Sequence, residues 1–186
     1  MGKVVYSMSV SLDGYIETVD RKLDWCIIDE EFHTAANEEA LEMDVFLYGR
    51  RMYELMTTYW PTADEDPTAP PYVVEFAQIW REKPKVVFSR TLDNVDWNSK
   101  LAGEDVAQEV AALKAQYERD MGVGGADLAS TLAQLDLIDE YRLYIHPVVL
   151  GDGTPFFPVL DQALNLQLVD SQTFGSGVVY LRYKRV

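Results

Sequence analysis

The stretch Arg119-Asp120-Met121-Gly122-Val123-Gly124-Gly125-Ala126-Asp127-Leu128-Ala129 constrains what this chain can fold into more than any other. A short extended segment runs into clustered glycines, and an apolar run at helical spacing, Leu128, Leu132 and Leu135, follows at once. Strand, glycine turn and helix in that order aim bare backbone N–H groups and the positive end of a helix dipole at one point, where a phosphate is stabilised. Glycine serves there because a Cβ would keep a bulky phosphate away from the backbone. The spacing is Gly-x-Gly-Gly and not Gly-x-Gly-x-x-Gly, and the next acids, Asp136 and Asp139, fall inside or just past the helix. The ordinary dinucleotide fingerprint therefore does not apply. A tight strand-to-helix turn without a ligand is the competing reading of the segment taken alone.

Around this segment strands and helices alternate. Residues 3–10 read as a strand, closed by an Asp13-Gly14 turn and returning to extended chain at Tyr15 and Ile16. Residues 17–29 read as a loop, and 30–42 as an acidic amphipathic helix with Phe32, Ala35, Ala36 and Leu41 inward. Val45-Phe46-Leu47-Tyr48 is the all-apolar run of a strand covered on both faces, and Gly49-Arg50-Arg51 ends it and opens a helix to about Thr58. The proline- and acid-rich segment from Trp60 to Pro71 reads as a mobile loop. The patterning predicts a helix over 72–82, a buried strand over 85–89, a short extended piece at 95–98 and a helix over 104–118. A strand over 139–147, a Gly- and Pro-rich loop over 148–158 and a hairpin of 164–173 with 177–185 complete the chain. Strands separated by helices predict an α/β fold with a mostly parallel sheet and an antiparallel C-terminal hairpin, in one domain over residues 1–186.

Composition narrows the function. With 186 residues, 48% apolar and 25% charged, the chain is long enough to bury one core without staples. A formal net charge of −15 argues against nucleic acid, which needs a basic surface, and equally against an anionic membrane surface. Cys26 is the single cysteine, which excludes an internal disulfide framework and fits a reducing compartment. With only two histidines beside it no zinc-type ligand set can be assembled, and no metal is expected. The first residues hold no sustained apolar run before Asp13, so no signal peptide is read there, and Tyr6 stands where N-myristoylation needs Ser or Thr. No run reaches the length of a membrane span. The expectation is a soluble, cytoplasmic protein acting on a small molecule.

Three predicted strand ends carry residues suited to phosphate: Gly49-Arg50-Arg51, Ser89-Arg90-Thr91 and Gly122 to Gly125. Ligands of such sheets bind beyond the carboxyl ends of the strands. One arginine after a strand is an ordinary solvated charge; three such clusters stand out in a chain with only 16 basic residues. The arginine fork suits a phosphate monoester, and the Ser89 or Thr91 hydroxyl can donate beside it. The residues thus point to a dinucleotide with an extra phosphate, its pyrophosphate on helix N-termini and its 2′-phosphate at Arg50, Arg51, Ser89 and Arg90.

With these residues in view, the chain resembles the dihydrofolate-reductase-like superfamily, and within it stand-alone proteins similar to the C-terminal reductase domain of the riboflavin-biosynthesis deaminase–reductase. The resemblance spans essentially the whole length. It rests on Ser11-Leu12-Asp13-Gly14-Tyr15-Ile16, Gly49-Arg50-Arg51-Met52-Tyr53-Glu54, Val87 to Leu92, Val123 to Leu128, and the run from Asp139-Glu140-Tyr141 through His146-Pro147 to Gly151-Asp152-Gly153. It implies a three-layer αβα fold and NADPH as hydride donor. The cofactor would be held by Gly49, Arg50, Arg51, Met52, Ser89, Arg90, Thr91, Gly122, Val123, Gly124, Gly125, Ala126, Asp127 and Leu128, with Ile16 lining the nicotinamide pocket. A cis peptide at Gly124–Gly125 and a homodimer are expected on the same ground. The substrate cleft would be lined by Asp13, Trp25, Asp29, Glu30, His146, Pro147, Gly151 and Gly153.

The reaction implied is hydride transfer to a C=N or C=O group of a small heterocyclic or ribosyl substrate, as in a 5-amino-6-(5-phosphoribosylamino)uracil reductase. Water, Asp13 or Glu30 would supply the proton. A dihydrofolate reductase proper and a non-catalytic NADPH-binding protein are the alternatives. Several of these residues also have a plainer reading: Asp13 forms a turn before glycine, Asp29 and Glu30 face a helix dipole, and His146 and Trp25 pack.

Overall fold

The computed structural model describes residues 2–186, and in it the apolar runs of the sequence become strands. These are Val4–Ser11 (β1), Tyr15–Glu17 (β2), Val45–Gly49 (β3), Lys85–Phe88 (β4), Ser99–Leu101 (β5), Met121–Gly124 (β6), Glu140–His146 (β7), Thr154–Pro155 (β8), Leu166–Thr173 (β9) and Val179–Arg185 (β10). Helices occupy Glu30–Glu42 (α1), Arg50–Tyr59 (α2), Pro71–Glu82 (α3), Val106–Gln116 (α4) and Ala126–Gln134 (α5). Among the described residues, eight strands form one sheet in the order β5-β4-β3-β6-β1-β7-β10-β9, and β2 pairs with β8 in a small ribbon. The pairings from β5 to β7 are parallel, while β10 runs antiparallel to both β7 and β9. This is the expected α/β architecture, closed by the expected hairpin.

The period of two in the strands sorts the core into layers. Val4, Tyr6, Val45, Leu47 and Val86 face one way and pack under Val110 and Leu113 of α4 and Leu128, Ala129 and Leu132 of α5. Val5, Phe46, Tyr48 and Val87 face the other way, against Ala40 of α1, Tyr53 of α2, and Ile79 and Trp80 of α3. All four residues of Val45-Phe46-Leu47-Tyr48 are buried, as a strand covered on both faces requires.

Four local expectations are corrected. In α1 the buried residues are Phe32, Asn37 and Ala40, while Leu41 is 48% exposed. Asn37 is buried because its amide donates to the Tyr72 carbonyl at 2.9 Å and to Glu75 at 2.7 Å, fixing α1 against α3 through a satisfied polar contact. The segment after Trp60 is not a free loop. It starts with a 3-10 helix, Trp60–Glu65, held by the Arg81–Asp64 ion pair and by an Arg81 bond to the Pro61 carbonyl. The extended piece expected at 95–98 lies at Ser99–Leu101, because Trp97 and Asn98 sit at φ 58° and 54°, outside the extended region. No peptide bond among the described residues is cis; the turn expected to need one is made by Gly125 at φ 103°.

Candidate active site

The parallel ladders bring three strand ends abreast. Tyr48 is the register partner of Gly124, and Gly49 is the partner of Phe88, so residues 49, 89 and 124 share one rim of the sheet. Two helices begin there without a side-chain cap: α2 starts after Gly49 and α5 after Gly125. Asp29 caps α1 and Asp105 caps α4, whereas α3 begins after Pro70, also without a side-chain cap. A helix start leaves four N–H groups without partners, so α2 and α5 present theirs openly. The two starts are close: a Cβ placed on Gly125 would lie 3.9 Å from the Gly49 nitrogen and 3.1 Å from Met52 Cβ. On Gly124 it would lie 2.8 Å from two carbons of the buried Tyr48 ring. The diglycine is thus required both by the turn and by the close approach of α2.

The flanking side chains divide. Arg50 donates to the Thr91 hydroxyl at 3.2 Å, and exposed Arg90 lies on the same loop. Ser89 Oγ accepts from the N–H groups of Thr91 and Leu92 at 3.1 and 3.0 Å, which shapes that loop and leaves its O–H free to donate. Arg51, one residue on, turns instead to β2 and holds Glu17 with two bonds of 3.0 and 2.9 Å, while the Thr154 hydroxyl donates to the same carboxylate at 2.7 Å. Burial pushes the Glu17 carboxyl up, but the Arg51 and Thr154 bonds outweigh it and hold the group below the usual carboxylate range. Gly122 and Val123 lie inside β6, with Val123 in the core, and the Leu128 side chain is buried, 3.5 Å from where a Gly49 Cβ would stand. Ala126 and exposed Asp127 form the first turn of α5. Ile16 is buried in the core beneath this rim.

Across β1 lies a second group. His146, at the end of β7, is fully buried; its Nδ1 accepts from the Ile27 N–H at 3.1 Å and its Nε2 faces Ser9 Oγ at 3.1 Å. The first contact assigns the tautomer: Nδ1 carries the lone pair and Nε2 the proton. Burial pushes the His146 pKa down, so the ring is neutral. Trp25 and Phe32 meet the ring edge-on at 5.4 and 5.5 Å, and burial raises the Cys26 thiol to about 11, keeping it protonated. The arrangement is a neutral, largely buried aromatic cluster.

The RibD C-terminal domain model matches residues 2–180. This chain belongs to the RibD C-terminal domain family. The Bacillus subtilis protein YyaP, itself uncharacterised, is 37% identical over 182 residues, covering 97% of this chain and 94% of its own. A solved candidate riboflavin-biosynthesis protein from a Shewanella species superposes with a TM-score of 0.75 at 24% identity, covering 100% of this chain and 99% of that one. The dihydrofolate reductase of Enterococcus faecalis, solved with NADP(H), superposes with a TM-score of 0.64 at 16% identity over 99% of this chain and 96% of its own. The superfamily fold is shared across that distance.

Within this RibD C-terminal domain, the carboxylates expected to deliver a proton are placed otherwise. Asp13 accepts from the Ser11 hydroxyl at 2.7 Å, from the Leu150 N–H at 3.1 Å and from the Gly151 N–H at 2.7 Å. The Ser11 bond first, then those backbone bonds, holds its carboxyl below the usual range, so Asp13 is an ionised clamp on the 148–153 loop. Asp29 is the α1 cap, accepting from the Phe32 N–H at 2.8 Å, and Glu30 is exposed in the first turn. Gly151, at φ 80°, gives its N–H to Asp13, and Gly153 allows β8 to reach Glu17. Exposed Pro147 follows His146 towards the β9–β10 turn. Sequence reasoning missed Ser9, Glu17 and Thr154. Ser9 and Glu17 were legible only as the alternation of β1 and β2, and Thr154 carried no signal.

Proposed function

We propose that this protein is an NADPH-dependent reductase that delivers a hydride to a C=N or C=O group of a small heterocyclic substrate. The observation that carries this reading is the pair of uncapped helix starts at Gly49 and Gly125, set together beside Arg50, Thr91 and Arg90. Membership of the RibD C-terminal domain family and the dihydrofolate-reductase-like fold support a reductase. The N–H groups opening α2 and α5 suit a pyrophosphate, and Arg50, Ser89, Arg90 and Thr91 suit a 2′-phosphate. NADPH supplies the hydride when bound. The protein's own residues orient the reactants and thin the water around them, with half-buried Ser9 and Trp25 on the substrate side and buried Phe32 and His146 behind them. Water provides the accompanying proton, because Asp13 is ionised and tied down and the Cys26 thiol holds its proton at neutral pH.

The test is cofactor discrimination. Replacing Arg50 or Arg90 with alanine removes a charged donor worth about 1.5–3 kcal/mol when it meets a phosphate, and exposure puts these residues at the lower end. NADPH binding, followed by nicotinamide fluorescence or calorimetry, is expected to weaken about tenfold, with NADH changed less than about threefold. Equal losses for both cofactors would refute the 2′-phosphate assignment.

A further inference from the structure

One face of the large sheet is covered over only part of its width. By the alternation of the strands, Tyr6 and Val10 of β1 lie on the face that packs under α4 and α5. The register carries that face across Leu143 and Ile145 of β7 to Val179, Leu181 and Tyr183 of β10 and Leu168 of β9. Helices α4 and α5 are spent on the columns of β1, β3, β4 and β6. Over β7 the Tyr141 ring is met by Phe157 at 5.2 Å, and beyond it the rows open to solvent. Leu143, Ile145, Val179, Leu181 and Tyr183 are only half-buried, and Leu168 is 50% exposed. A sheet buries its apolar face against a second layer, and an open apolar face across three strands marks a surface that meets something.

The two sides of the β9–β10 hairpin differ in charge, and this difference selects the occupant. The side towards α1 sets Arg182 opposite Asp170 and Lys184 opposite Gln167. The open side sets Val179 opposite Thr173, Leu181 opposite Ser171 and Tyr183 opposite Leu168, all uncharged. Arg185, at the margin of that side, is bonded to the carboxylate and the carbonyl of Asp136, just past α5. Two copies of a chain carrying a net charge of −15 repel one another except where neither presents a carboxylate. At a twofold axis each residue also meets its own copy, so a charge there would face itself, whereas leucine and tyrosine are complementary to themselves. A basic partner would be drawn to the acidic surface instead of to this face. Two such sheet faces stack about 10 Å apart with their strands roughly 30° from parallel.

We infer that the open face of β7, β10 and β9 is covered by the same face of a second copy of this chain, in a symmetric dimer. The inference goes beyond the bare expectation of a homodimer by naming the surface, and it does not rest on the reductase reading. The experiment is sedimentation equilibrium of the full-length protein, with light scattering after gel filtration. A particle of twice the 21.2 kDa chain mass is expected, with a dimer Kd below about 1 μM. Leu181→Glu at the middle of the face and Leu168→Lys at its edge each place two charges in the dimer, one per copy. Each is expected to weaken the dimer at least about a hundredfold while the far-UV spectrum stays that of the wild type. Should Leu181→Glu fail to fold, Leu168→Lys decides, because Leu168 already stands half in solvent. Gln172→Glu, on the α1 side of the same hairpin, is expected to change the Kd less than about threefold. A wild-type monomer at concentrations far above that Kd would overturn the inference, including one that instead floats with neutral phosphatidylcholine vesicles. So would a dimer that persists in both leucine variants, or one that Gln172→Glu dissociates as strongly.

Discussion

Replacing Glu17 with glutamine separates two roles of Arg51 that the structure binds into one contact. Glu17 is 8% exposed and holds the guanidinium with two bonds near 3 Å, backed by Thr154 at 2.7 Å, while the Arg51 side chain is 44% exposed. A bidentate pair with one half-exposed partner lies between surface pairs, worth up to about 1 kcal/mol, and buried ones, which cost about 3–5 kcal/mol to break. Glutamine keeps the volume and an acceptor but removes the charge, so a loss of about 1 kcal/mol of stability is expected, or roughly 2–4 °C in Tm for a domain of this size. If Arg51 also serves the cofactor pyrophosphate, NADP⁺ must first break this pair, and the variant spares that cost. NADP⁺ should then bind about fivefold more tightly although the protein melts earlier. The pH dependence has a definite sign. Glu17 has its folded pKa below the unfolded value, so its stabilisation is present above the ordinary carboxylate range and lost as pH falls through the folded pKa; the variant should show a flatter acid limb. Thermal melts across pH and NADP⁺ calorimetry on both proteins decide the matter. A lower Tm with unchanged or weaker NADP⁺ binding would show that Arg51 serves only the β2 contact.

Two further perturbations test other parts of the site. Gly124→Ala puts a Cβ 2.8 Å from the ring of Tyr48, which is 4% exposed and has no space to retreat, so a loss of about 1–3 kcal/mol in urea unfolding and weaker NADP⁺ binding are expected; wild-type stability would contradict the close packing of the Tyr48 ring on β6. His146→Phe removes the acceptor for the Ile27 N–H and should cost about 1–3 kcal/mol at neutral pH. Because burial lowers the folded pKa of His146, the wild-type protein loses stability as pH falls through the ordinary histidine range, and the variant should lose less between roughly pH 7 and 5; parallel pH profiles would contradict a neutral buried ring.

The strand-end rim was largely legible because backbone geometry demands particular residues. Gly124 and Gly125 announce a turn and a close approach whatever the rest of the chain does, and the all-apolar run at 45–48 announces a strand buried on both faces. What adjacent side chains do was not legible. Arg50 and Arg51 look alike in sequence, yet one turns to Thr91 and the other to Glu17, 34 residues earlier, because α2 projects successive side chains about 100° apart. Asp13 shows the same limit. An Asp-Gly turn was evident, but its carboxylate is spent on N–H groups 137 and 138 residues away, which turns a candidate acid into a clamp. In α1, Asn37 and Ala40 are buried where Leu41 was expected, because Asn37 answers to Glu75 and Tyr72 and not to hydrophobic period.

The two sides of the rim also differ in how they can change. If the helix starts hold phosphate as proposed, that binding depends on glycine and helix position, so substitutions elsewhere in α2 and α5 would leave it in place provided the diglycine stays. The other end of the rim rests instead on side-chain contacts, His146 with Ser9 and with the Ile27 N–H, over a strand pair fixed by seven register partners between β1 and β7.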